Sequence, residues 1–358
     1  MAGNEGGFRA DGDYFTAPRV RNGGAWTRWR DLSLFGATAH ALLLVSLELT
    51  MIAIKRILCP VDFSDHSRRA LDHAFAIAKW YGSSVTVMHV FPLVAVAPYG
   101  AGPGVFEPLI LAPVDRRELL SQVERFATAE SAPGVPIDCR VQEGNAAPEI
   151  LALASEIGAD LIVIGTHGRS GFERFLLGSV AEKVLRKAAC PVLTVPRATA
   201  DAVPATPVLF KEILCPIDFS ESSLQALRYA VSIAEEADAR LTVLHVLTHD
   251  DEAIDAPDAV EYEGMTVADY RDRREQDVRA KLEAVLPNDV REYCTVEPLV
   301  IEGKPWREIL RVAAERRSEL IVIGVQGRGA VDLLFFGSNT QHVVREATCP
   351  VLTLRRTT

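Results

Sequence analysis

The tightest constraint on this chain is a stretch that occurs twice. Leu161 to Ser179 reads LIVIGTHGRSGFERFLLGS, and Leu320 to Ser338 reads LIVIGVQGRGAVDLLFFGS. Each copy is a short apolar run, then G-x-x-G, nine residues and a Gly-Ser pair. The glycines and serines are Gly165, Gly168, Gly178 and Ser179 in the first copy, and Gly324, Gly327, Gly337 and Ser338 in the second. The apolar run predicts a buried strand, and the Gly-Ser pair the start of a helix. Glycine lets the backbone approach a ligand and adopt positive φ. Free N–H groups at a helix N-terminus attract phosphate. A single G-x-x-G is weak evidence; two with one spacer, each after LIVIG, are specific.

The repetition extends beyond these loops. KRILCPVDFS at Lys55 returns as KEILCPIDFS at Lys211, VTVMHV at Val85 as LTVLHV at Leu241, and CPVLTV at Cys190 as CPVLTL at Cys349. The chain is therefore an internal duplication, with one domain over 51–197, an Ala/Pro/Thr linker over 198–210 and a second domain over 211–358. In the first domain, strands are expected at Ile57–Val61, Val85–Phe91, Ile137–Gln142, Leu161–Ile164 and Pro191–Val195. Helices alternate with them, the first opening at Ser64 or Asp65 and the fourth at Gly178. That alternation implies parallel βαβ units: an α/β fold of two Rossmann-like domains, each with a parallel sheet of order 3-2-1-4-5. The last strand of each domain is an apolar edge, which favours pairing between the two domains. Residues 1–50 lack this pattern. Met1–Arg30 is rich in Gly, Arg and Asn and reads as disordered, and Leu32–Leu49 is mostly apolar. An inert extension, a membrane-associated segment and a helix packed on the body all remain open for it. His40 and Glu48 interrupt the apolar run, and the arginines before it would send the downstream chain outward.

In an open sheet of this order, ligands bind past the carboxyl ends of the strands where the order reverses, between strands 1 and 4. Strand 1 runs into Pro60 and Asp62, and strand 4 into Gly165; the second domain brings Pro216 and Asp218 to Gly324 in the same way. Asp62 can accept a ribose or amine hydrogen bond, or simply face the dipole of the following helix. Val90 and Val246, at the end of strand 2, can offer backbone contacts to a base. The neighbouring His89 and His245 read as satisfied core residues. Ser179 and Ser338 can bind phosphate, cap their helices, or both. Arg169 and Arg328 can neutralise phosphate or be ordinary exposed loop arginines.

Composition removes some alternatives. The formal charge is −10, which argues against a nucleic-acid binder held by phosphate contacts. Nearly all of that excess falls in residues 206–358, where Asp250–Glu263 form a dense acidic loop; the matching loop at 92–113 is apolar and rich in Gly and Pro. The six cysteines show no C-x-x-C and no metal spacing. They read as buried apolar residues in a reducing cytoplasm.

From Met51 to Arg356 the sequence resembles the universal stress protein family in its tandem form. The resemblance is carried by CPVDFS and CPIDFS, the MHV and LHV strand ends, and both G-x-x-G-x9-G-S loops. Those loops look like the signature of the family's ATP-binding branch. The resemblance implies ATP as the ligand, with or without Mg2+. Pro60, Asp62 and Val90 would lie on the adenine and ribose side, and Gly165, Gly168, Gly178, Ser179 and Val180 on the phosphate side. In the second domain these become Pro216, Asp218 and Val246, and Gly324, Gly327, Gly337, Ser338 and Asn339. Val180 and Asn339 differ, so the two loops are not identical at that position. No G-K-[ST] follows the glycines, so this is not a Walker A loop, and no general base is evident within it. The expectation is a cytoplasmic, ATP-dependent stress regulator that is not primarily an enzyme, with its domains paired and a homodimer compatible with that pairing. A slow ATPase or self-phosphorylating protein, and a partner-binding module with empty sites, are the alternatives.

Overall fold

The computed structural model describes residues 52–92, 115–128, 133–166, 177–197, 210–248, 267–286, 290–325 and 337–355. The extension at 1–50, most of the linker, and the loops at 93–114, 167–176, 249–266 and 326–336 lie outside the described residues.

The first half runs β1 (Arg56–Pro60), α1 (Asp65–Tyr81), β2 (Ser84–Phe91), α2 (Arg116–Thr128), β3 (Ile137–Glu143), α3 (Ala146–Glu156), β4 (Leu161–Gly165), α4 (Ser179–Lys187) and β5 (Val192–Val195). The second runs β6 (Glu212–Pro216), α5 (Glu221–Ala237), β7 (Arg240–Leu247), α6 (Val267–Val285), α7 (Val290–Tyr293), β8 (Thr295–Glu302), α8 (Pro305–Glu315), β9 (Leu320–Gly324), α9 (Ser338–Glu346) and β10 (Val351–Leu354).

Local chemistry explains the helix ends. Ser64 precedes α1 in extended conformation, and its side chain accepts from the Ser67 N–H, which satisfies one of the orphan donors of the first turn. Ser220 does the same for α5 through Ser223. Gly82 closes α1 at φ 64 and Asp238 closes α5 at φ 48; Asp is among the few residues besides Gly that visit this region readily. Strand side chains alternate between two cores. Ile57 and Cys59 pack on the face covered by α1 and α2, whereas Leu58 packs on the face covered by α3 and α4. The second half repeats this with Ile213 and Cys215 against Leu214.

The strand order is β3-β2-β1-β4-β5-β10-β9-β6-β7-β8 in one ten-stranded sheet. Within each half the order is the expected 3-2-1-4-5 and all pairs are parallel. At the centre the two five-stranded sheets join into one. There β5 and β10 pair antiparallel, with Leu193 opposite Leu352. Thr194 Oγ1 donates to Val351 O, and Thr353 Oγ1 to Val192 O, both at 3.1 Å. Two apolar edges thus satisfy each other, leaving β3 and β8 as the outer edges. Beside this seam, Tyr81 and Ser232 join α1 to α5 by a 2.9 Å hydrogen bond, and Phe210 packs against His73 and Trp80.

All six cysteines are free thiols. Four are buried, but Cys139 and Cys190 are only half-buried, because β3 is an outer edge and Cys190 precedes β5. Burial pushes both of these thiols up to about 11. Among the described residues, no helix is long and apolar enough to cross a membrane.

Candidate functional site

The crevice forms where β1 and β4 part. Past Pro60, the Val61 N–H still donates to Met88 O at 2.7 Å, and then the chain turns sharply at Asp62-Phe63-Ser64. Asp62 Oδ1 accepts from the Ser64 N–H at 3.1 Å and from Ser64 Oγ. Ser67 Oγ accepts from the Asp62 N–H at 3.3 Å and donates to Ser64 O at 2.9 Å. This is an Asx turn running into a capped helix. The second half builds the same corner, with Ser220 N–H on Asp218 Oδ1 at 3.0 Å and Asp218 N–H on Ser223 Oγ at 3.3 Å. The Asp62 carboxylate holds the turn, and the residue lines the crevice.

At the far wall, β4 ends at Gly165. A Cβ there would lie 3.2 Å from the backbone C and O of His66 in α1. At Gly324 it would lie 2.7 Å from Ser222 C and 2.8 Å from Ser223 N of α5. The first glycine of each loop is thus needed for the helix to approach the strand, a packing reason that the ligand argument alone did not include. The loop that follows is pinned at its base. Gly178 N–H donates to Thr166 O at 2.7 Å, and Gly337 N–H to Val325 O at 2.9 Å. These glycines take the N-cap positions of α4 and α9, and neither helix has a side-chain cap hydrogen bond. Where α1 and α5 are capped by Ser64 and Ser220, the N-cap glycines of α4 and α9 offer their first turns no side chain of their own.

These parts enclose a cavity of about 170 Å3 in the first half. Its lining includes seven of the residues expected from sequence: Pro60, Asp62, Val90, Gly165, Gly178, Ser179 and Val180. The cavity is smaller than the ~300–1,000 Å3 of pockets that enclose a whole drug-sized ligand. The wall is otherwise apolar, with Met88, Ile150 and Ile164, and carries the hydroxyls of Ser67 and Thr166. Sequence reasoning did not single these five out. Thr166, directly after the strand, and the serine three residues into the DFS helix were the available signals. Met88 and Ile150 are legible only once β2 and α3 are placed.

In the second half, Pro216 ends β6, Asp218 sits in the matching turn, Val246 lies in β7, and Gly337, Ser338 and Asn339 open α9. Thr340 adds a feature with no counterpart: its hydroxyl donates to Gly324 O at 2.9 Å, where the first half has Ala181. Gly168, Arg169, Gly327 and Arg328 lie outside the described residues.

The sequence model of the universal stress protein family matches residues 53–196 and again 209–355. A universal stress protein of Methanocaldococcus jannaschii is 40% identical over 144 residues, covering 39% of this chain and 81% of its own length. One from Mycolicibacterium smegmatis is 26% identical over 306 residues, 84% of this chain and 96% of its own. Among solved structures, a universal stress protein from Archaeoglobus fulgidus superposes with a TM-score of 0.58 at 22% identity, covering 85% of this chain and all of its own. With two tandem matches that together span most of its length, the chain belongs to the universal stress protein family.

Proposed function

We propose that this chain is a nucleotide-dependent regulator in the stress response, with ATP held in the β1/β4 crevice of the first half and in its counterpart in the second. The observation that carries the reading is the pairing of an apolar cavity with a helix N-terminus whose N-cap is a glycine, Gly178. The base and ribose would lie against Pro60, Asp62 and Val90, and the phosphates against Gly165, Gly178, Ser179 and Val180. Gly168 would belong to the same phosphate side, and Arg169 would supply charge to neutralise the phosphates. Pro216, Asp218, Val246, Gly324, Gly327, Arg328, Gly337, Ser338 and Asn339 would do the same in the second half. Backbone N–H groups at a helix start favour the phosphate electrostatically. Mg2+, when present, would accompany the phosphates.

The chemistry assigned to the chain is binding rather than fast turnover. Neither half places a lysine in a Walker A position, and Ser64, Ser67, Ser220 and Ser223 are engaged in the turns and caps of the two corners. Purified chain is heated, and the released small molecules are identified by mass spectrometry; the refolded or ligand-stripped chain is then titrated with ATP. Release of an adenine nucleotide and saturable rebinding support the reading. Absence of both, at millimolar ATP, contradicts it and favours a partner-binding module with empty sites. Turnover well above that of a Ser179→Asp, Ser338→Asp double variant would move the reading to a slow ATPase.

A further inference from the structure

The histidine of the MHV and LHV motifs has no part in the reading above. In a parallel ladder, alternate residues of a strand direct both N–H and C=O to the same neighbour. Met88 O accepts from Val61 N–H, so Met88 faces β1, and Val90 faces the same side. Phe91, in the alternate set, accepts from Gly144 N–H at 2.9 Å on the β3 side. The next rung between β1 and β2 would run from Val90 N–H to Val61 O. That carbonyl instead accepts from His89 Nδ1 at 2.8 Å. A carbonyl can only accept, so Nδ1 carries the proton.

The second half repeats every part. Ile217 N–H donates to Leu244 O at 2.8 Å, Gly303 N–H donates to Leu247 O at 2.9 Å, and His245 Nδ1 donates to Ile217 O at 2.8 Å. Two residues past each carbonyl the chain leaves the sheet through a phenylalanine with positive φ, 65° at Phe63 and 61° at Phe219. Bulky residues rarely adopt this conformation and need surroundings that hold them there. Each ring lies tilted on the histidine, with centroids 4.5 Å apart for Phe63–His89 and 5.0 Å for Phe219–His245.

We infer that His89 and His245 are positioning residues: each ring takes the last carbonyl of strand 1 out of the ladder, and so leaves the N–H and C=O of Val90 or Val246 turned into the crevice as a reading edge for a base. The inference rests on the nucleotide reading and adds base selectivity to it. A donor and an acceptor on one strand residue match a heterocycle with an acceptor beside a donor. Adenine presents that pair on its Watson–Crick edge; hypoxanthine presents the reverse.

The test has two arms. In the ligand-free native chain, amide hydrogen exchange is read at Val90 and Val246 by NMR, beside Met88 and Leu244. The inference expects fast exchange at the two valines and protection at their neighbours. Equal protection at all four overturns it, whatever the variants do. In the second arm, ATP and inosine triphosphate are titrated into the native chain, His89→Leu/His245→Leu and His89→Asn/His245→Asn. The asparagine amide can donate where Nδ1 does, so that variant should keep the native preference for ATP. The leucine variant frees the carbonyl to close the rung, and its preference should fall about tenfold, the worth of one lost hydrogen bond. An unchanged preference in the leucine variant overturns the inference while leaving nucleotide binding intact. A native chain that binds neither triphosphate contradicts the nucleotide reading instead, and the exchange arm still decides the role of the histidines.

Discussion

The two halves agree at the strand ends and diverge around them. The Asx corner, the serine cap, the positive-φ phenylalanine and the histidine-to-carbonyl bond match to within about a tenth of an ångström in most distances. Away from that frame the residues drift: His66 stands against Ser222, Thr166 against Val325, Ala181 against Thr340, and His73 against Tyr229. A duplicated chain keeps unchanged what both copies need to make the crevice. The residues that set helix-to-strand spacing and buried polarity are tuned separately. The comparison can therefore be broken by substitutions that should act in one half only.

The largest expected difference is acid sensitivity. His73 is buried, and that burial pushes its imidazole down to about 4; it donates through Nδ1 to Arg69 O at 2.7 Å. An unfolded histidine takes its proton near 6.5, so between pH 6.5 and 4 the unfolded chain binds more protons than the folded one. Stability contributed by the neutral ring is therefore present above about 6.5 and lost as pH falls to about 4, by roughly 3 kcal/mol. Chemical denaturation from pH 7 to 4 should show His73→Tyr, which installs the residue of the second half, losing that much less than the native chain. Parallel curves would contradict the assignment.

Next come the first loop glycines. Gly324→Ala places a methyl 2.7 Å from Ser222 C and 2.8 Å from Ser223 N, both backbone, and should cost about 3 kcal/mol. Gly165→Ala meets His66 at 3.2 Å and should cost about 1 kcal/mol. Equal losses in thermal melts would mean that the helices sit equally close in both halves. A smaller effect is expected from Thr340→Ala, which removes the hydroxyl on Gly324 O and should cost about 1–2 kcal/mol; Ala181 has no such bond to lose. The smallest differences belong to the conserved frame. Ser64→Ala and Ser220→Ala should each cost about 1 kcal/mol, and a clear inequality between them would show that the corners are less alike than their geometry.

Much of this was legible in the sequence because it is written in local patterns. Unbroken apolar runs announce β1 and β4, the serine that closes DFS announces α1 and its repeat α5, and the repeated blocks announce the duplication. The strand order followed from right-handed βαβ units, and it brought Asp62 to Gly165 across about a hundred residues of chain. What escaped were facts that exist only between elements. The room Gly324 leaves for Ser222 depends on how closely α5 rides on β9. Whether His89 is a core residue or a stand-in for a ladder rung depends on where β1 leaves the sheet. The seam also needed the whole fold: an edge strand signals that it will be covered, but the antiparallel register of Leu193 on Leu352 follows from two domains meeting about a pseudo-twofold.

The central claim is that both crevices hold nucleotide phosphate at the starts of α4 and α9. Ser179 and Ser338 are exposed first-turn residues, where an aspartate suits the helix dipole but repels phosphate. The most direct measurement is calorimetric titration of ATP, at low magnesium, into the native chain, Ser179→Asp, Ser338→Asp and the double variant. All four should melt within a few degrees of one another. Each single variant should lose one site, with affinity there falling about a hundredfold. The Ser338→Asp chain should keep the tighter site, since the second half carries the acidic stretch Asp250–Glu263. ATP binding by the double variant that equals the native chain in affinity and stoichiometry would contradict the claim.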